Sequence, residues 1–469
     1  MPDLQLQMQR QRGNQTDLFA ELSYPQGSET ATGMATASGI GSSSEAGGYS
    51  ELETDLNLEL DLGLDFGEEL SPVQRPSPLG LGRGEENSRM EDLTLYVERL
   101  YPLLPIVDIR DLRLQAHSHV PGTGCSLIRD AFLFSLRAAV HAFDLSGFER
   151  NHQRERGRAC EILLQEALKA RAHCDETQLQ LQSQPLSHCD NDVRHRLLSS
   201  FFLFLAYWNL RREQHAWWYM RECIALLLAS SMHRENEYKV LEPREAEYRR
   251  RLFWGLFVAE RKFCLLYNQP IVLRPWIELP THTSVFDEEG VMSGFVRLVT
   301  LVRGVDVDMS GCWTAVGFVT PVTLSLATPT AHDYDDTEED LLPIQTLDLA
   351  ITREWLRAKT WKLGIPQGRF SEFVASQDNS IWRLDEPLFI GQSLLKILQG
   401  FRGALELIWS SILDHKLCDI SECLYDIMPV MQTRGRFGEV ELDQILRGLL
   451  EVLSRFRGRS AYLLTEACT

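Results

Sequence analysis

The chain predicts an all-α fold, a large helical regulatory body preceded by an acidic tail, and three observations predict it. Apolar residues recur at three- and four-residue spacing from Ser88 onward. From there on, period-two alternation of the kind a sheet needs is almost absent. Residues 1–90 are rich in Ser, Gly and carboxylates and poor in anything that could build a core.

The tail comes first. Stretches such as Ile40-Gly41-Ser42-Ser43-Ser44, and the exit from Ser71-Pro72 to Ser77-Pro78, cannot repay the entropy of ordering, so residues 1–90 are expected to be disordered. The segment carries fifteen Asp and Glu against five Arg, which is ten of the nineteen net negative charges of the chain. Within it, Glu51 to Leu70 holds eight acidic residues and no basic one, interleaved with Leu58, Leu60, Leu62, Leu64 and Phe66. Charge keeps these apolar groups solvated, which is the composition of an activation segment that offers Leu and Phe to a coactivator groove. A solvated acidic spacer is the competing reading.

The body, 91–469, opens with Leu93, Val97, Leu100 and Tyr101 on one helical face, before Pro102 and Pro105 break the helix and lead into an extended Ile106-Val107. Helices are then predicted at about 127–143, 152–172, 191–209, 212–232, 243–267, 290–304, 341–361, 387–415, 417–432 and 440–464. In 243–267, Tyr248, Leu252, Phe253, Leu256, Phe257, Phe263, Cys264 and Tyr267 form one broad apolar face, ringed by Arg249, Arg250, Arg251, Glu260, Arg261 and Lys262. Gly317 to Leu326 concentrates Val and Thr but is interrupted by Pro321. Together with the acidic stretch His332 to Asp340 it reads as one long loop.

Composition narrows the function. A net charge of -19 repels polyanions, which disfavours direct DNA binding by the chain. The ten cysteines contain no pair closer than Cys418 and Cys423, so there is no CxxC element, and thiols in a reducing compartment are expected. The longest apolar runs, Phe201 to Leu210 and Cys223 to Met232, are about half of the roughly 20 residues that span a bilayer, so no membrane partner is expected.

Catalytic motifs are weak. Ser393 and Lys396 have the spacing of a serine nucleophile and a lysine base, but no companion element follows, and a helix surface explains them. GxSxG, GxxxxGK[ST] and HExxH are absent, and Pro121-Gly122-Thr123-Gly124 is too short to cradle a phosphate. His173-Cys174 and His188-Cys189 hold zinc-ligand types, yet adjacent helical residues diverge by about 100°. His117-Ser118-His119 lacks a third ligand nearby. No catalytic residue, metal or cofactor is assigned, and the chain is read as not an enzyme.

Two clusters remain. Phe204, Tyr207, Trp208, Trp217 and Trp218 could wall a pocket for a small-molecule effector, against plain core packing. Arg249-Arg250-Arg251 beside Trp254 could meet a nucleic acid, but pairing with Glu245 and Glu247 around a buried indole is the stronger reading.

Four stretches carry a family likeness: Tyr96 to Asp108; Phe201 to Trp208 running into Ala216 to Glu222 and His233; Glu247 to Arg261 with Gln269 to Leu273 and Ile277 to Pro280; and, more weakly, Glu354 to Leu363 with Asp419 to Pro429. They resemble the fungal-specific transcription factor domain, the middle homology region of zinc-cluster regulators, particularly the maltose and amylase regulator branch. Members usually begin with a six-cysteine, two-zinc cluster that reads DNA; these 469 residues hold no CxxCx6C pattern, and either a regulator without its own DNA-binding module or an upstream segment carrying one accounts for that. The resemblance implies a nuclear transcriptional regulator of a carbohydrate-utilisation or secondary-metabolite gene cluster. Its implied partners are a coactivator, a DNA-binding paralogue or a second copy, with indirect contact to DNA. A metabolite-binding helical protein, or an enzyme of a biosynthetic cluster, is the alternative.

Overall fold

The computed structural model describes residues 82–117, 127–143, 150–180, 190–281, 287, 290–304, 341–364, 384–401, 410–428 and 436–457. Every regular element among the described residues is a helix. The chain is all-α there, as its periodicity predicts. The activation segment with Leu58, Leu60, Leu62, Leu64 and Phe66, the 121–124 turn, His188-Cys189 and the 317–340 loop lie outside the described residues.

The elements are α1 (Gly82–Leu95), continued by a π-helical turn (Tyr96–Leu100), α2 (Ile109–His117), α3 (Leu127–Phe143), α4 (Arg150–Gln180), α5 (Asp190–Asn209), α6 (Glu213–Ala229) and α7 (Glu235–Tyr238). They are followed by α8 (Pro243–Tyr267), α9 (Val291–Arg303), α10 (Pro343–Gly364), α11 (Glu386–Gly400), α12 (Ser411–Asp426) and α13 (Arg436–Arg457). Helix α3 packs against both α4 and α5, and α5 packs against α6. Helices α10 to α13 form a second packed group, joined to the first through α9 and through α12 against α5.

Local chemistry sets the boundaries. Helix α8 starts at Pro243, whose missing N–H is not needed in the first turn, and stops at Asn268, held left-handed at φ 52°. There the Gln269 N–H returns to the Cys264 carbonyl at 3.0 Å, and Pro270 prevents continuation. Arg211 and Ser231 take the same left-handed conformation after α5 and α6. The π turn has the Tyr101 N–H on the Tyr96 carbonyl at 2.9 Å, which turns both rings inward, edge to face at 6.0 Å.

Two differences from the sequence prediction have local causes. The single helix expected over 387–415 ends at Gly400, where Phe401 leaves helical geometry, and α12 starts afresh at Ser410. The Ser410 backbone is extended and its hydroxyl accepts the Leu413 N–H. Helix α2 was not predicted; Asp108 caps it, its carboxylate accepting the Arg110 N–H at 3.0 Å, and His117 is its last residue.

Apolar burial carries the first helical group and α8 together, with Phe201, Phe202, Phe204, Trp208, Phe253, Trp254 and Phe257 almost wholly removed from solvent. Buried polar ties fix the rest. Asp92 of α1 accepts from Arg137 of α3 at 2.6 Å and meets His141 at 3.0 Å. Trp355 and Lys359 of α10 both reach Asp419 of α12 at 2.7 Å. Arg357 links Glu354 of its own helix to Glu386 of α11.

Candidate functional site

Helix α8 is the axis of the candidate site. Arg249, Arg250 and Arg251 each point a different way, about 100° apart, and each is consumed within the protein. Arg249 donates to Glu245 at 2.7 Å, and Arg194 of α5 reaches the same carboxylate at 3.3 Å. Arg250 grips Glu235 of α7 with both guanidinium nitrogens, at 2.6 and 2.9 Å, and donates to the Glu278 carbonyl. Arg251 is completely buried and pairs with Glu247 and with Asp287, the latter at 2.5 Å, while Tyr101 also donates to Asp287. Burial disfavours the cation, but the two carboxylates outweigh it and push the Arg251 pKa further up. This geometry leaves no basic stripe on α8 for phosphates.

About two and a half to three turns beyond Arg251, Glu260 and Arg261 clasp the segment after the helix. The fully buried Glu260 carboxylate accepts the N–H groups of Val272 at 2.7 Å and Leu273 at 2.9 Å, and Arg221 of α6 approaches it at 3.5 Å. Arg261 donates to the Leu273 carbonyl at 3.0 Å with its guanidinium over the Phe257 ring. Burial raises the Glu260 pKa despite these donors. Trp254 donates to the Glu278 carbonyl at 2.8 Å, so the 268–280 segment is tied along α8 at both ends.

The aromatic cluster is placed unevenly. Phe204, Trp208 and Trp217 pack around Phe263 of α8, at 5.7, 5.4 and 6.1 Å, and Tyr207 stacks on Tyr219 at 5.5 Å. They make core. Trp218 is 72% exposed, so it cannot wall an interior pocket; the helix turns it away from its neighbour Trp217. Of the five, only Trp208 lines the cavity that lies beside α8.

That cavity, of about 70 Å³, lies between the π turn, the end of α3, α5, α8, α9, α10 and α12. Leu100, Leu104, Phe143, Val258 and Leu298 supply apolar wall, and Asn209, Lys262, Asp348 and Lys416 supply polar groups. Asp348 of α10 is bracketed by Lys262 of α8 at 3.1 Å and Lys416 of α12 at 3.0 Å, and Lys416 donates to Thr352 at 2.7 Å. Burial, with Lys262 close by, lowers the Lys416 pKa to about 8, while the two lysines hold the Asp348 carboxyl well below the usual range against its own burial. Sequence reading missed these residues. The available signal was Asp348 on the same helical face as Ile344, Leu347 and Ile351, a charge where the pattern requires an apolar residue.

Other candidates dissolve. Ser393 donates to Glu354 at 2.9 Å and Lys396 is exposed, so they form no nucleophile and base pair. Among the described residues no group of three His, Cys, Asp or Glu is placed to hold a metal, and no described helix is long and apolar enough to cross a membrane. The buried thiols of Cys160 and Cys423 are pushed up to about 12 by burial, which keeps them protonated and unreactive.

Comparison with known proteins gives this arrangement its context. The profile described as "Fungal specific transcription factor domain" matches residues 158–281, which run from α4 through α8 to the end of the clasped segment. The probable sucrose utilization protein SUC1 of Candida albicans is 26% identical over 197 residues, 38% of this chain and 37% of that protein. The maltose fermentation regulatory proteins MAL13 and MAL33 of Saccharomyces cerevisiae are 21% identical over 295 residues and 22% over 188. Those matches cover 61% and 39% of this chain, and 57% and 40% of the relatives. The chain thus spans well under two thirds of the length of each of these relatives. The clasped α8 lies inside the region, 158–281, that matches the fungal specific transcription factor domain, and the chain is similar over part of its length to maltose fermentation regulatory and sucrose utilization proteins.

Proposed function

We propose that this protein is a nuclear transcriptional regulator of carbohydrate-utilisation genes, working through protein partners and under the control of a small-molecule effector. One observation carries the reading: the family domain over 158–281, shared in part with relatives named for maltose fermentation regulation and sucrose utilization. Geometry supports the indirect mode. Arg249, Arg250 and Arg251 of α8 are held by Glu245, Glu235, Glu247 and Asp287, and the chain is net negative, so contact with DNA falls to a partner or to a separate DNA-binding module. The acidic segment 51–70 would engage a coactivator through Leu58, Leu60, Leu62, Leu64 and Phe66.

Deleting the gene and comparing transcripts on maltose, sucrose and glucose tests the reading. The expected result is lost induction of genes for uptake and hydrolysis of the disaccharides; unchanged transcripts on all three sugars would overturn it. A reporter tethered to residues 1–90 tests the activation segment separately: output is expected, and should collapse when the five apolar residues become Ser.

A further inference from the structure

The cavity beside α8 has a charge imbalance that its walls do not resolve. Two ammonium groups, Lys262 and Lys416, share the single carboxylate of Asp348. Of the three N–H donors of Lys416, one goes to Asp348 and one to Thr352. An uncompensated charge held away from water is costly, and a ligand anion relieves it. On the same cavity, Asn209 is 9% exposed, donates through its amide nitrogen to the Leu205 carbonyl and leaves its Oδ1 without a partner. The site therefore offers cationic donors and a separate acceptor against a largely apolar wall.

Size limits what fits. At roughly 10–15 Å³ for each water-sized group, a cavity of about 70 Å³ holds about five to seven such groups. A disaccharide is several times too large. A three-carbon acid has the right number of atoms, its carboxylate suits the lysines, and a hydroxyl would satisfy Asn209. The apolar wall favours such an organic acid over an inorganic ion.

We propose that this cavity binds a small organic anion, a hydroxy or keto acid of about three carbons, with the carboxylate at Lys416 and Lys262 and any hydroxyl on Asn209 Oδ1. The inference rests on the effector-controlled regulator described above and names the chemistry of the effector. Its location suits that role. Lys262 and Asn209 belong to the matched family region, whereas Asp348 and Lys416 come from the helices that follow, so an anion bound there would stiffen the joint between them.

The test is thermal unfolding of the purified full chain with lactate, pyruvate, inorganic phosphate, maltose and sodium chloride, each up to about 10 mM. A saturable rise of a few degrees with lactate or pyruvate is expected, larger for lactate, with none beyond the chloride control for maltose. Phosphate matching the acids would overturn the organic-acid assignment. Lys416→Met should abolish the rise while Lys262 still pairs with Asp348. Should that variant not fold, Ala259→Val, which narrows the cavity without touching a charge, is expected to weaken the response at least several-fold. No saturable response to either acid, or an undiminished one in the variants, overturns the proposal. Failure here leaves the deletion phenotype untouched, and unchanged transcripts in the deletion strain leave the binding result standing, so the two readings fail separately.

Discussion

Arg251 and Asp287, 36 positions apart in the chain, form an ion pair at 2.5 Å with both side chains excluded from water. Removing one partner of such a pair strands the other, which is far more damaging than never having built the pair. Arg251→Met is therefore expected to destabilise the full chain by about 3–5 kcal/mol in urea unfolding followed by tryptophan fluorescence. A loss under about 1 kcal/mol would contradict the burial of the pair.

Trp254 combines a wholly buried indole with a hydrogen bond to the Glu278 carbonyl. Trp254→Ala should cost about 3–5 kcal/mol, and Trp254→Phe less, because the ring volume is partly kept. The defect is one of folding. A soluble, cooperatively unfolding Trp254→Ala that had lost reporter output would show instead that the indole acts directly in regulation.

Glu260 serves two backbone donors with its two separate oxygens, and in the neutral amide one of those positions becomes an NH2 that cannot accept. Glu260→Gln should cost about 1–3 kcal/mol and, more tellingly, speed amide hydrogen exchange in residues 269–277 relative to α5. Uniform protection in both regions would mean the clasp does not hold the segment.

His195 is buried against Phe132 at 5.6 Å, and burial, followed by the nearby Arg194 and Arg129, lowers its pKa from 6.5 to about 4. The unfolded chain takes up a proton that the native state refuses between these values. Stability therefore falls as pH drops from 6.5 toward about 4, by up to about 3 kcal/mol from this group, and this group adds no further loss below that. His195→Phe keeps a stacked ring and removes the titration, so its melting temperature should fall less than that of the wild type between pH 7 and 5.

Gly294 of α9 faces Gln345, whose amide donates to the Pro102 and Val291 carbonyls at 2.7 and 2.8 Å. A Cβ at 294 would lie 2.2 Å from the Gln345 amide carbon. The side chain is flexible in principle, but moving it breaks both bonds in a buried site. Gly294→Ala should lower stability by about 1–3 kcal/mol by thermal melting, an effect that Gly294→Ala with Gln345→Ala would partly reverse.

The family signature was legible because its residues are consecutive. Glu247 to Arg261 occupy about four consecutive turns of one helix, so helical periodicity alone reveals the element. The helix break at Phe401 and Ser410 was not legible, since the flanking sequence stays apolar at helical spacing and only the Ser410 cap marks the restart. Helix α2 went unseen although Asp108, its cap, stood in view; a nine-residue helix after two prolines gives too short a period to read.

Sequence by itself determined the all-α class, the existence of helix α8 and the family likeness, because each depends on residues within a few turns of one another; it did not determine that Arg251, Glu260 and Arg261, read as a charged rim, are buried with the apolar face. Tertiary structure decided the rest. Lys262, Asp348 and Lys416 come from three helices 86 and 68 positions apart, Asp287 finds Arg251 from outside any helix, and Trp218 faces solvent while Trp217 packs inward. No local pattern encodes such meetings. A buried charge is set by what lies across the interface, and a one-residue step around a helix, about 100°, is enough to exchange core for surface.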